Sequence, residues 1–586
     1  MPKIEVFRAE LTRAINSPKI TDDELEAVFP VAKAELDEPA NDEGIMKVEL
    51  NDTNRPDLWS TAGLARQLRV ARGAEIPSYG FFSDSTVTRD DGGRRIVVDE
   101  SVRDIRPYVV GFVMTGPPIN AAVLKDLIQT QEKLTWNFGR KRRSVAMGVY
   151  RSELISYPVH YRAADPDTTR FVPLQDQREL TLRQILSEHP KGRDFGHIVA
   201  NLPAFPLLTD DRGAVLSFPP VINSASIGAV EEGDTSLFVE VTGTDLESLL
   251  PTISIVACDV ADAGYTVEPV TVEYPYDTPY GRSITCPFYF QKPQQTTRHQ
   301  INRLLGTDLS VAEIIESLNR MGIHATGAGG GQDTDGIVVR VPEYRNDFLH
   351  EVDIVEDVMI GRGMDSFAPA MPREFTVGRL TAVEELSRRV KFTMVGLGFQ
   401  EMIFNYLGSA QDYLERMYPE DERDAARAGM VQIANPMSEN YEIVRPSILP
   451  SLLGAEAVSG RAVYPHHIFE IGNIAIRDEA DVSGTRSRTV LGFLSADREA
   501  GFNLANSHIS AILYYVGVEF SLRELRDNRF IGGRAAEVVL EDGRIAGYFG
   551  ELHPRVLESW GVQVPCTGGE LDVVALLNKH ERESID

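Results

Sequence analysis

Between Gly336 and Gly361 the chain changes its rhythm. GIVVRV alternates apolar and other residues as a half-buried strand does, Pro342 closes it, and EYRNDFLHEVDIVEDVMIG follows with helical spacing. A strand stopped by proline and followed by an amphipathic helix predicts a packed α+β unit, and an antiparallel one if the pattern recurs. Asp347 is placed to cap the helix, because its short side chain can accept from a free backbone N–H. From Phe348 onward, Phe348, Val352, Ile354, Val355, Val358 and Met359 fall on one arc, while Asp353, Glu356 and Asp357 fall on the opposite one. Like charges at that spacing repel by roughly 0.2–0.5 kcal/mol per pair. Two readings of the acids stand side by side: a solvated acidic face, or a site for a hard cation such as Mg²⁺, which takes carboxylate oxygens and keeps several waters.

The same alternation runs through the chain and predicts four parts. Residues 1–90 form an α/β domain, with a strand over Met46–Leu50 and a helix from about Asp57 whose apolar stripe is Leu58, Ala62, Ala65 and Leu68. Residues 91–285 are mixed α/β, with strand-like runs YVVGFVM, AVLSFP, SLFVEVTG and TISIVA and helices near 120–137 and 244–265. VEYPYDTPYGRSITCP, rich in Pro and Tyr, is expected to be a linker. Residues 290–370 are the compact unit already described, and 371–586 an antiparallel α+β domain. GAGGGQDTDG is tempting as a phosphate loop, but it follows a helix and precedes a strand and lacks the GK[ST] ending, so it is expected to be a plain turn.

Charge limits what this surface can hold. The 87 acidic residues outnumber the 59 Lys and Arg, for a net charge of −28, so the surface as a whole cannot grip a polyanion. Any nucleic-acid role needs a local basic patch, and GRKRRS at Gly139–Ser144 is one, unless it is a solvated loop. Three widely spaced cysteines offer neither a CxxC pair nor a disulfide framework. No run of 18 apolar residues and no leader pattern occurs, which predicts a cytoplasmic protein.

Several phrases together resemble one family. VPEYRNDFLHEVDIVEDVMIGRG is similar to the B5 domain of the phenylalanyl-tRNA synthetase β subunit. QIANPMSENYEIVRPSILPSLL, HHIFEIGNIAI and GYFGELHPRVLESWGV resemble its C-terminal class II synthetase-like module. NDTNRPDLWSTAGLARQLR and LSFPPVINS with LFVEVTGTD resemble the N-terminal and B3/B4 parts. The layout resembles the archaeal and eukaryotic type. The resemblance implies an α-subunit partner in an (αβ)₂ heterotetramer, tRNA(Phe) as a ligand, and ATP and L-phenylalanine handled through α. It also implies Mg²⁺ on Asp347, Asp353, Glu356 and Asp357, in a site shared with α.

It further implies two functional expectations. HHIFEIGN and TGGELDVVALL show no arginine where a class II site would grip ATP, so the C-terminal module is expected to lack adenylation chemistry. A phenylalanine site excludes the extra hydroxyl of tyrosine weakly, by roughly a hundredfold, so a second hydrolytic site is useful. The resemblance assigns it to B3/B4, with Leu208, Ser217, Glu240 and Thr242 at pocket positions and Glu240 where a shorter Asp is expected. Two rivals are a free-standing aminoacyl-tRNA deacylase and a purely architectural partner. His466 and His467 are adjacent on a strand and point to opposite faces, so they are expected to be structural.

Overall fold

The computed structural model describes residues 2–51, 54–82, 89–328, 335–460 and 462–577. It divides into two compact units, Met1–Ala370 and Met371–Asp586.

The first unit opens with a small antiparallel sheet, in which Ile45–Leu50 lies between Lys3–Phe7 and Ala34–Glu38. Helix Thr61–Ala71 follows a short 3₁₀ turn at Pro56–Leu58 and starts on Ser60, whose side chain accepts from Gly63 N. This helix is buried almost all round, so its Arg66 and Gln67 are inside as well as its apolar residues. Arg66 is tolerated there because Asp259 and Asp262 of helix Leu246–Asp262 take its Nη2 and Nε at 2.5 and 2.6 Å.

The centre of the unit is a ten-stranded sheet. Its order runs Ile222–Asn223, Val215–Phe218, Phe205–Thr209, Val159–Ala164, Arg95–Val98, Thr266–Glu273, Tyr108–Thr115, Ser236–Gly243, Val145–Arg151, with Ser283–Cys286 also paired to Thr266–Glu273. Arg95–Val98 runs parallel to both its neighbours; the other pairings are antiparallel. Two expectations fail here. TISIVA lies inside helix Leu246–Asp262, because a short β-branched run has no period of its own and only the length of the apolar stretch decides. The expected linker instead joins two paired strands, and its Tyr274 and Tyr276 are buried, with hydroxyls donating to the carbonyls of Val109 and Pro107.

The last part of this unit sets helices Arg298–Leu305, Val311–Arg320 and Glu351–Arg362 on the sheet Gln294–Thr297, Gly336–Arg340, His324–Gly327. Ser310 and Glu313 close a capping box at the start of the second helix. Most of the glycine-rich turn, residues 329–334, lies outside the described residues.

The second unit is a seven-stranded mixed sheet in the order Gln400–Glu401, His466–Arg477, Thr485–Ala496, Cys566–Asp572, Ile545–Leu552, Phe530–Leu540, Phe520–Glu524. Only the first pair is parallel. One face packs on helices Ala382–Gly396 and Phe502–Val516, through Leu386, Val390, Ile509 and Phe493. The other packs on Leu449–Val458 and Pro554–Trp560, through Leu452, Leu494 and Val556. Both units are therefore α+β. No described helix is long and apolar enough to cross a membrane.

Candidate functional site

The four carboxylates near residue 350 do not converge. The helix begins at Glu351, later than expected, and Asp347 does not cap it. Asp347 instead accepts from Arg345 Nε and Nη2 at 2.7 and 2.6 Å, and Asp357 accepts from the same Nη2 at 2.8 Å. Arg345 and Asp357 are buried, so Asp357 faces inward and Val352 faces out. Burial alone would raise the Asp347 pKa, but the Arg345 charge and its hydrogen bonds outweigh it and hold the carboxyl at about 2. Asp353 does the capping, accepting from Leu349 N and His350 N at 2.7 Å each. Glu356 pairs with Lys33 at 2.8 Å. Among the described residues no three His, Cys, Asp or Glu stand close enough to share a metal. The acids as arranged do not fit Mg²⁺, because a guanidinium fills the place a cation would take. The pattern misled because period alone cannot show that Arg345, two residues before Asp347, turns inward with it. Chelation with EDTA is expected to leave the thermal unfolding of this chain unchanged; a lowered melting temperature would restore a cation to these acids.

The other candidate residues lie on three strands of the large sheet, two of them adjoining. Leu208 on Phe205–Thr209 pairs with Ser217 on Val215–Phe218, and Glu240 and Thr242 share one face of Ser236–Gly243. Ser217 and Glu240 line a cavity of about 250 Å³, with Met147, Arg142 and Asn223. Leu208 and Thr242 do not line it. Leu208 is core, and Thr242 serves Arg106, accepting Nε on its hydroxyl at 3.1 Å and Nη2 on its carbonyl at 2.6 Å.

Tyr150 organises the cavity, and the sequence did not single it out. Its hydroxyl lies 2.7 Å from Glu240 Oε1 and 2.9 Å from Ser217 Oγ. With the single phenolic proton on Glu240, the Ser217 hydroxyl supplies the other bond. Glu240 is 2% exposed, and its Oε2 has no hydrogen-bond partner. Burial pushes its carboxyl up to about 7, against the opposing pull of Tyr150 and Arg106. Glu240 pairs with Gly111 on one neighbouring strand and Gly148 on the other, and Gly148 leaves room for the tyrosine. A Cβ on Gly148 would stand 2.0 Å from the Tyr150 hydroxyl and 2.6 Å from Glu240 Oε1. A glycine inside the strand run VAMGVYR is the signal in the sequence that could have pointed to this close approach. Gly148→Ala is expected to displace the tyrosine and cost about 1–3 kcal/mol, read as a lower melting temperature.

The raised Glu240 pKa has a consequence for stability. An unfolded glutamate titrates at 4.5 and the folded one at about 7, so folding takes up a proton between those values. The group's contribution is full below pH 4.5 and is lost as pH rises through 7. Glu240→Gln keeps the shape and removes the loss. At pH 8 it is expected to stabilise by up to about 3 kcal/mol, with no gain at pH 4. Melting curves at the two pH values check this.

The basic segment Gly139–Ser144 borders the same cavity. Helix Ala121–Lys133 runs into a π turn at Leu134–Phe138, after which Arg140, Lys141 and Arg142 take φ of 50°, 55° and 66°. Three successive left-handed residues cost about 1–2 kcal/mol each and persist only where contacts hold them. Here Arg142 Nη1 donates to the Pro220 and Val221 carbonyls at 3.2 and 3.1 Å, and Arg106 Nη1 donates to the Arg143 carbonyl at 3.0 Å.

The second unit corrects another expectation. Its sheet face bears a cleft of about 530 Å³ lined by Ser447, Arg488, Arg529, Tyr548 and Glu570. Arginines are thus present where the sequence showed none: Arg488 comes from the strand paired with HHIFEIGN, opposite Ile474, and Arg529 from the turn before Phe530–Leu540. Most are already paired. Arg529 is held by Asp527 at 2.6 Å, and Arg445, in the same unit, by Glu470 at 2.7 and 2.9 Å. Glu570 accepts from Ser447 Oγ at 2.7 Å and from the first N–H groups of helix Leu449–Val458, placing a fixed anion in the cleft. TGGELD is a strand, not the approach to a helix. His466 meets Glu456, while His467 packs tilted against Phe399 and edge-on to His508, on opposite faces as expected.

Family models match two stretches. One described as the tRNA synthetase B5 domain covers residues 295–364, and one described as the phenylalanyl tRNA synthetase beta chain CLM domain covers 368–573. Both matches place the chain among the multidomain components of aminoacyl-tRNA synthetases. The phenylalanine–tRNA ligase beta subunit of Borrelia hermsii is 44% identical over 578 residues, 99% of this chain and all of that protein. The corresponding protein of Treponema pallidum is 46% identical over 92% of this chain and 88% of its own. A crystal structure of an N-terminal fragment of the Pyrococcus horikoshii phenylalanyl-tRNA synthetase beta subunit is 35% identical, with a TM-score of 0.56, covering 62% of this chain and all of the fragment. The chain belongs to the phenylalanine–tRNA ligase β-subunit family, and so to the subunits of a ligase. The archaeal or eukaryotic type is not supported, since the Borrelia and Treponema relatives that match nearly all of the chain are bacterial. Domain content carried that expectation, and it reports which modules are present rather than whose genome encodes them.

Proposed function

We propose that this chain is the proofreading and assembly half of a phenylalanine–tRNA ligase. In this reading an α chain joins L-phenylalanine to tRNA(Phe) with ATP and its magnesium, in a cytoplasmic (αβ)₂ complex. The β chain binds tRNA and hydrolyses tyrosine from mischarged tRNA(Phe). The observation that carries it is Glu240 Oε2, buried and unpartnered, on the wall of a cavity. A tyrosyl hydroxyl donating to that oxygen satisfies it; a phenylalanyl ring leaves it orphaned. A site built to bond a hydroxyl rejects the analogue lacking it strongly. That asymmetry runs in the direction proofreading needs.

Within the cavity Tyr150 and Ser217 fix the carboxylate rotamer, so Oε2 is aimed before substrate arrives. Glu240 accepts best when ionised, so tyrosine selection is expected to weaken as pH falls below about 7. No Ser-His-Asp or Cys-His arrangement lies among the lining residues, so a positioned water is the nucleophile in this reading. The C-terminal module, read as class II-like, is non-catalytic: Glu570 stands in its cleft and Arg529 is neutralised by Asp527. Co-expression with an α chain followed by aminoacylation and deacylation assays tests the whole reading. Adenylate formation by the β chain alone would overturn the division of labour.

A further inference from the structure

The turn Gly139–Ser144 is poorly explained as a solvated loop. Acids outnumber cations by 87 to 59 along the chain, and most buried or half-buried arginines have carboxylate partners. Yet among the described residues no carboxylate pairs with Arg140, Lys141 or Arg143, although all three are exposed and adjacent. They line a cleft of about 810 Å³ with Trp136 and His197. Trp136 is 51% exposed, whereas Trp59 and Trp560 are 1% and 9% exposed. Its indole is held by edge contact with Phe195, and the Arg142 guanidinium lies 4.1 Å from the Phe195 ring centre. Trp136 stands within the π turn, and the left-handed turn that follows is clamped through Arg142.

Lys141 rests over one side of the Trp136 ring, 5.2 Å from its centre. Cations without carboxylate partners beside an exposed aromatic ring are what a single-stranded nucleic acid needs: charge for phosphates and a flat surface for a base. The turn also touches both cavities, for Arg140, Lys141 and Arg143 line the open cleft while Arg142 lines the one holding Glu240. We propose that Arg140, Lys141, Arg143 and Trp136 form a binding site for the single-stranded end of an RNA, its phosphates on the three cations and one base on the indole, and that this site delivers the terminal residue to the Glu240 cavity. The delivery step rests on the proofreading reading; the strand-binding step does not.

Trp136 fluorescence in the full chain, co-expressed with its α partner, tests strand binding without any hydrolysis. An unstructured single-stranded oligoribonucleotide is the probe, with an RNA duplex and inorganic polyphosphate as comparators. The strand is expected to quench the exposed indole, and log K is expected to fall with log salt at a slope of about −2, for three phosphate contacts on a single strand. Arg140→Gln, Lys141→Gln and Arg143→Gln together are expected to weaken binding on the order of tenfold, and Trp136→Ala by a similar factor. Trp136→Phe is expected to keep affinity, read by a labelled strand, while losing the quench. In deacylation of Tyr-tRNA the triple variant is expected to raise KM about tenfold with kcat unchanged within about twofold. Unchanged affinity in the triple variant, or equal quenching by duplex or polyphosphate, would overturn the site. Strand binding of the predicted kind by a complex that fails to hydrolyse Tyr-tRNA would support this site while failing the proofreading reading.

Discussion

Glu240→Ala in the αβ complex is expected to slow hydrolysis of Tyr-tRNA by about a hundredfold, leaving aminoacylation with phenylalanine unchanged. The size follows from the bond lost. A hydrogen bond from a hydroxyl to a buried carboxylate contributes about 1.5–3 kcal/mol, and each 1.4 kcal/mol is tenfold. The variant also frees Tyr150, whose hydroxyl then loses its acceptor, so the tyrosine subsite loosens as well as losing its recognition group. Glu240→Asp separates the two effects. The shorter side chain keeps the charge and withdraws it from Tyr150, so partial activity is expected. The readout is the first-order loss of labelled tyrosine from preformed Tyr-tRNA(Phe), with accumulation of Tyr-tRNA during aminoacylation as the second. A Glu240→Ala complex that clears Tyr-tRNA at the wild-type rate would remove this cavity from the reaction.

The second large effect is structural. Arg345→Ala is expected to destabilise the first unit by about 3–5 kcal/mol, the usual result of removing one partner from a buried ion cluster. Its guanidinium is 2% exposed, bonds Asp347 twice and Asp357 once, and lies 4.7 Å from the Phe348 ring centre. Without it two buried carboxylates face each other unpaired. The melting temperature is expected to fall by several degrees, since about 1 kcal/mol moves a large domain by roughly 2–4 °C. Asp357→Asn removes one of the two negative partners and retains a hydrogen-bond acceptor, so it is expected to cost less. If Mg²⁺ rescued Arg345→Ala to wild-type stability, the four carboxylates would be a cation site that the arginine merely occupies.

These two residues also mark what the sequence could say. Periodicity located the strand around Val338 and a helix after Pro342, because a strand alternates and an amphipathic helix repeats wherever one face is buried. It failed where elements are buried on several sides. Helix Thr61–Ala71 hides Arg66 and Gln67, and TISIVA reads as a strand because a helix buried on all sides shows no stripe. Glu240 and Ser217 were legible through family resemblance. Tyr150 and Arg106 were not, because their role comes from pairing across strands more than 60 residues apart in the chain. The Mg²⁺ expectation took four acids close in sequence as one site, and in this structure three different partners hold them apart. In the second unit, missing arginines in two phrases were read as missing cations, whereas Arg488 arrives from the neighbouring strand and Arg529 from a turn. What distinguishes that cleft is that Glu570 and Asp527 fill it with negative charge and take up its buried arginine.

The most direct test is a crystal structure of the αβ complex with a non-hydrolysable tyrosyl-adenosine amide. The account predicts the tyrosyl hydroxyl within about 2.6–3.2 Å of Glu240 Oε2 and the adenosine leading out past Arg142. A tyrosyl group seated in the cleft beside Glu570, with the Glu240 cavity left to water, would contradict it.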